Sequence, residues 1–255
     1  MKKLNKIRNL KIVFVLSFAI TTFSCSGSDD EEVIELPIES TTRIIEFSGF
    51  QWVVRTSDEN QVGPGPNLFS DSEQNVWVDQ QGRLHLKIVQ KAGKWYCSGI
   101  TLREDFGHNK YIFYVSSRVD QLDPNVVAGL FTYKNDEEEI DIEFSRWSDP
   151  ENEDSQFAVQ PSHLEGNKMR YDLNLGGNLS THWFDWQESK IDFASYKGHT
   201  LDPNADDIIH TWTYTGASIP PDSDEKLKIN LWLFKGQGPT DNQEAEMIID
   251  RVEIL

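Results

Sequence analysis

Positive charge is scarce in this chain. Of its 255 residues, 24 are Lys or Arg against 42 Asp or Glu, a formal net charge of −18. Phosphate backbones are bound by clustered Lys and Arg, so nucleic acid is excluded as a partner. Cysteine is nearly absent, with only Cys25 and Cys97. Long apolar runs are missing too: Ile12 to Ile20 is the longest candidate and is too short to span a bilayer. There is no H-E-x-x-H, no G-x-S-x-G and no phosphate-binding loop, which sets aside metalloprotease, serine hydrolase and nucleotide hydrolase chemistry. Helical periodicity is also scarce.

What is present at the start is an export pattern. Lys2, Lys3, Lys6, Arg8 and Lys11 precede the short apolar run, and small and polar residues lead to Cys25. Residues 1–24 therefore read as a signal peptide. Thr21-Thr22-Phe23-Ser24-Cys25 resembles a bacterial lipoprotein box, which implies lipidation of Cys25, attachment to the outer membrane and display at the cell surface. Residues 25–41, with Asp29-Asp30-Glu31-Glu32, read as an acidic tether. Loss of the five basic residues with the signal would take the formal charge from −18 to about −23. A neutral glycan is then an easier partner than a heavily sulfated one, unless a local basic patch exists. With Cys25 acylated, Cys97 has no disulfide partner and reads as a small buried hydrophobe.

Residues 42–255 are long enough for one domain with its own core. Leu84, Leu86 and Ile88 alternate with His85 and Lys87. Leu227, Ile229, Leu231 and Leu233 alternate with Lys228, Asn230, Trp232 and Phe234. Gly63-Pro64-Gly65-Pro66, Gln81-Gly82, Asp202-Pro203-Asn204 and Pro220-Pro221 punctuate such runs. Many short strands separated by turn residues predict an all-β sandwich or barrel.

Five residues carry the chemistry: Glu139-Ile140-Asp141-Ile142-Glu143. Side chains alternate along a strand, so Glu139, Asp141 and Glu143 share one face while Ile140, Ile142 and Phe144 share the other. A dry core would not accept three carboxylates, so their face must border water or a cleft. Paired acids in a cleft suit glycoside hydrolysis, one attacking the sugar and one protonating the leaving oxygen. Cα atoms four residues apart in a strand are about 13 Å apart, whereas a retaining pair of carboxyls stands about 5 Å apart. A concave sheet is needed to close that gap. A solvated strand face and a calcium site are the plainer alternatives, and the spacing does not fit a calcium loop. Asn230 and Trp232 offer a polar and an aromatic surface suited to sugar hydroxyls and sugar faces.

In order along the chain, Asn67-Leu68-Phe69, Phe131-Thr132-Tyr133, the E-I-D-I-E-F of residues 139–144, Phe184-Asp185-Trp186-Gln187, Asn230-Leu231-Trp232 and Ile249-Asp250-Arg251-Val252 resemble the family 16 glycoside hydrolases, in particular the lichenase-like branch. The resemblance covers about residues 45–255. It implies a concanavalin A-like jelly roll of two curved antiparallel sheets. It also implies hydrolysis of internal β-glycosidic bonds, of a β-glucan first, with retention. Glu139 would be the nucleophile, Glu143 the acid/base and Asp141 the residue that sets their protonation, one of the three pKa values being raised. Arg103, Gln160, Asn230 and Trp232 would contact substrate. No cofactor or metal is implied, a structural calcium ion has no assignable ligands, and a monomer is expected. The chain departs from the branch at Glu137, where a tryptophan is usual, and at Gln156, Ala158 and Gln160, where Asn and Tyr face the sugar. A non-catalytic glycan-binding jelly roll and a transglycosylase remain the alternatives.

Overall fold

The computed structural model describes residues 42–255. The signal, the tether and the lipidation expected at Cys25 lie outside the described residues. Alternation of apolar and polar residues produces strands almost everywhere. The hairpin β1 (Ile44–Phe47) and β2 (Phe50–Val54) is followed by two short strands, β3 (Leu68–Phe69) and β4 (Val76–Val78). Next come β5 (Leu84–Lys91), β6 (Lys94–Leu102), β7 (Lys110–Val115), β8 (Val126–Asn135), β9 (Glu138–Phe144) and β10 (Ser155–Val159). The chain closes with β11 (Lys168–Tyr171), β12 (Ser180–Trp186), β13 (Ile191–Lys197), β14 (Ile208–Tyr214), β15 (Lys226–Leu233) and β16 (Ala245–Ile254). Only short 3₁₀ turns interrupt them, as the all-β expectation required.

The strands stack as two layers. One runs β11-β10-β9-β8-β15-β6, with β2 and β1 continuing beyond β6; the other runs β5-β16-β7-β12-β13-β14, with β4 on β5. The β5–β6 hairpin belongs to both, pairing Val89 with Tyr96 and Lys91 with Lys94, so a single ladder folds over on itself. Pairing is antiparallel throughout, except that β3 lies parallel to β6. The sandwich is thus a curved, nearly closed sheet.

The apolar halves of the alternating strands meet between the layers. Leu84, Leu86 and Ile88 of β5, Ile140, Ile142 and Phe144 of β9, and Leu227, Ile229, Leu231 and Leu233 of β15 are all buried. Burying each such side chain contributes about 1.5–3 kcal/mol. Across the layers, Phe157 of β10 stacks on Phe193 of β13 with ring centroids 5.0 Å apart. Phe144 of β9 packs against His182 of β12 at 4.7 Å. His182 is fully buried and lies 2.6 Å from Ser195 Oγ and 2.8 Å from Ser180 Oγ through its two ring nitrogens. Burial lowers its pKa to about 3, so the ring is neutral and acts as a polar spacer in the core. Cys97 is buried with its thiol pushed up to about 12 by desolvation, in line with a structural role.

One buried amide fixes a loop that matters for the site. Asn67 Nδ2 donates to Pro64 O at 2.7 Å and to Leu233 O at 2.9 Å, tying the Gly63–Pro66 turn to the end of β15. Asn67→Ala would leave the buried Leu233 carbonyl without this donor. The expected loss is about 1–3 kcal/mol, read as a melting midpoint several degrees lower. An unchanged midpoint would show that the turn is held by other contacts.

Candidate active site

The outer face of the first layer carries the three acids. β9 lies between β8 and β10 in unbroken register from Ile140 to Phe144, with no bulge. Cross-strand rows therefore follow directly from the pairing. Glu139 is beside Tyr133, then Lys226. Asp141 is beside Phe131, then Lys228. Glu143 is beside Gly129, then Asn230, then Gly99. One step further along, Val127 faces Trp232. On this face lies a cavity of about 420 Å³, whose lining includes Glu139, Asp141, Glu143, Phe131, Tyr133, Gly129, Asn230, Trp232, Lys228 and Arg55, with Gly63 and Pro64 as one wall.

Of the two glycines in the Glu143 row, Gly99 is required by what stands beside it. A Cβ on Gly99 would collide with Asn230 Oδ1. A Cβ on Gly129 would come 3.4 Å from the Phe131 ring and would occupy floor space next to Glu143. The acid strand thus borders an open floor on one side.

On the other side stand two glutamines. Gln156, opposite Glu143 on β10, donates from Nε2 to Glu143 Oε2 at 2.7 Å. Gln160 donates to Asp141 Oδ2 at 2.9 Å, while its backbone N–H donates to Glu139 O at 3.0 Å. Gln160 was expected to reach substrate; in the structure it orients Asp141 and does not line the cavity. Gln156, which in sequence showed only as a departure from the family pattern, holds Glu143.

Asp141 is 2% exposed, and its neighbours Glu139 and Glu143 are partly covered. All three carboxyls are shifted upward, where the sequence required only one to rise. Desolvation raises Glu139 to about 7 and Glu143 to about 8, with the mutual repulsion of the acids adding to each. Asp141 is raised furthest by burial and by the Glu139 charge beside it. It keeps its proton and donates it in a hydrogen bond to Glu139, which that bond holds below the value burial alone would set. Lys228 also favours the charged form of Glu139. All three acids therefore hold a proton to higher pH than a free carboxyl, Glu143 to higher pH than Glu139.

Asn230 and Trp232 both line the cavity, with Trp232 only 8% exposed. Trp147 stands edge-on to Trp232 at 6.2 Å and to Phe234 at 5.4 Å. Its backbone is left-handed, φ 55°, a costly conformation for a bulky residue. Trp232 is consequently a cavity wall and part of an aromatic cluster at once. Phe234 lies in the turn after β15 rather than on the strand.

Arg103 is not at the site. It follows β6, is exposed, and bonds the Gln51 side chain. The arginine that lines the cavity is Arg55, just past β2. Only the packing of β2 onto β6 reveals it. Lys228 was legible, since it shares the alternating face with Asn230 and Trp232. Among the described residues no group of His, Cys, Asp and Glu is arranged to hold a metal ion.

A raised carboxyl pKa makes the folded state bind more protons than the unfolded one between about pH 4.5 and 8, so stability falls as pH rises through that window. Glu143→Gln removes this effect at one residue. Its melting midpoint should match the parent near pH 4.5 and exceed it by at least about 2 °C at pH 8. A constant offset across the range would mean that Glu143 is not desolvated.

No family model matches the chain, and no curated protein matches it in sequence. Solved structures do match in fold. A Bacillus licheniformis beta-glucanase superposes with a TM-score of 0.58 at 18% identity, over 79% of this chain and 91% of that one. A beta-1,3-glucanase from Mycobacterium marinum gives 0.59 at 17% identity, over 80% and 90%. A beta-1,3-1,4-glucanase (lichenase) from a mouse hindgut metagenome gives 0.56 at 17% identity, over 80% and 92%. The chain has the jelly-roll fold of these glucanases.

Proposed function

We propose that this chain hydrolyses internal β-glycosidic bonds of a polysaccharide with retention of configuration. The observation that carries the proposal is the placement of Glu139, Asp141 and Glu143 along one cleft-facing strand, where burial shifts each carboxyl upward. Two carboxyls whose surroundings set their pKa values apart are suited to the two roles of the reaction. The glucanase-like fold favours a β-linked, glucan-type backbone.

Glu143, the group with the higher value, is the proton donor. It protonates the glycosidic oxygen as Glu139 attacks the anomeric carbon, so that the C–O bond to the leaving group breaks and an ester to Glu139 forms. Glu143, now a carboxylate, takes a proton from water; that water attacks the same carbon and Glu139 leaves as a carboxylate. Gln156 supports Glu143 in its ionised stage, since its N–H favours the charged form. The hydrogen bond from Asp141 stabilises Glu139 both before attack and as it departs. Export and attachment through Cys25 belong to the same proposal, on sequence grounds.

Glu139→Gln and Glu143→Gln should each lower kcat by at least about 100-fold while the fold persists, since acid–base assistance alone contributes that much. The proton NMR spectrum of the first product should show the β-anomer before mutarotation. An α-anomer appearing first would withdraw the nucleophile role from Glu139.

The pKa values of the two outer acids also order the pH profile. kcat/KM should rise as Glu139 loses its proton near pH 7 and fall as Glu143 loses its own near pH 8, leaving a narrow maximum between. Glu143→Gln should flatten the alkaline limb of whatever activity remains. A broad plateau down to pH 5 would contradict this assignment.

A further inference from the structure

Two cations converge on the cavity of a chain with net charge −18. The Lys228 ammonium lies 4.1 Å from the Tyr133 ring centroid, and the Arg55 guanidinium lies 3.8 Å from that of Phe69. Neighbouring lysines are neutralised: Lys134 reaches Asp224 at 2.9 Å and Lys226 reaches Asp105 at 3.4 Å. Arg55 and Lys228 make no such pair among the described residues. The hydrogen bond found for Arg55 is to Gly63 O, which leaves most of its five donors unused. The two charges also repel one another. Glu139 offsets Lys228, but no carboxylate acts on the half-buried Arg55, and its unused donors point to a missing partner.

The cavity is polarised as well. Along the strand direction, Lys228 stands in the Asp141 row with its ammonium over the Tyr133 ring of the Glu139 row, whereas Trp232 lies beyond Glu143 at the other end. Asp136, the remaining acid of the lining, accepts from Tyr133 Oη at 3.0 Å. Asp141 and Glu143 accept from Gln160 and Gln156 and pair with neither cation.

We infer that the glycan carries an anionic substituent, a sulfate ester or a uronate carboxylate, that binds between Arg55 and Lys228 in the cavity. The inference rests on the glycan reading of the cleft and names its substrate class. It replaces the neutral glycan expected from net charge, because the local field in a cleft, not the total charge, governs the partner. Arg55 would hold two oxygens of the group through its planar fork, and Lys228 would add a point charge.

The test is binding by the Glu143→Gln chain, in which the amide mimics the neutral acid and turnover is removed. Affinity electrophoresis would use three pairs of glycans: a sulfated galactan and its desulfated form, polymannuronate and its carboxyl-reduced form, carboxymethyl β-glucan and its parent. At least one anionic glycan should bind about ten-fold or more tightly than its neutral partner, weakening with salt. The sulfated or carboxylated arm that does so identifies the group. Arg55→Gln and Lys228→Gln, each added to that chain and checked by melting, should abolish the preference while sparing the neutral partner. The inference is overturned if no pair shows a preference, or if the preference survives in both variants. Wild-type turnover on the same panel separates the two readings. Hydrolysis of a neutral glycan without anionic preference overturns only this inference, and anionic binding without hydrolysis overturns only the hydrolase.

Discussion

The hydrogen bond from Asp141 to Glu139 is the contact on which the rest of the site depends. Three carboxyls along five residues could not all be ionised cheaply in a partly desolvated cleft, because each charge would face another of its own sign. Holding Asp141 neutral removes one charge and turns that group into a donor. Glu139 then keeps access to its ionised form, and Glu143 is left as the group that holds its proton to higher pH. The difference between the outer acids comes from their surroundings, since they are the same residue type on the same face of one strand.

That arrangement needs a rigid frame, and the core supplies it. β9 sits between β8 and β10, so both of its edges are hydrogen-bonded. Its inner face is clamped by Ile140, Ile142 and Phe144, and Phe144 rests on a histidine that is itself fixed by two serines. Gln156 and Gln160 then orient the carboxyls from the β10 side. Little reorganisation is left to the acids, which is the condition for electrostatic preorganisation. The raised pKa values are an energetic cost of the site, offset by burial elsewhere in the sandwich.

The cavity is asymmetric in a way that bulk composition conceals. A strongly acidic chain repels polyanions at long range, yet on one side of the cleft Arg55 and Lys228 make no salt bridge among the described residues. Surface carboxylates are screened by salt and water, whereas Arg55 and Lys228 act across a partly desolvated space. At the opposite end the surface is aromatic, with Trp232 held by Trp147 in a left-handed backbone conformation. Strain of that kind is sustained only where surrounding packing enforces it.

By itself the sequence determined the β class, the face on which the three acids stand and the apolar face behind them. These follow from the period of two along a strand, which is a local property. The alternation of Leu227 to Leu233 likewise placed Asn230 and Trp232 opposite the core. Only the tertiary structure decided which residues surround the acids. Arg55 reaches the cavity because β2 is docked on β6, and Arg103, close in sequence to an expected position, is turned away on a loop. Gln160 contacts Asp141 rather than open space because β10 pairs with β9 and carries it past the acid. The upward shift of all three carboxyls was beyond the sequence for the same reason. Desolvation depends on walls built by segments distant along the chain, and strand pairing between such segments is a long-range choice that no local pattern encodes.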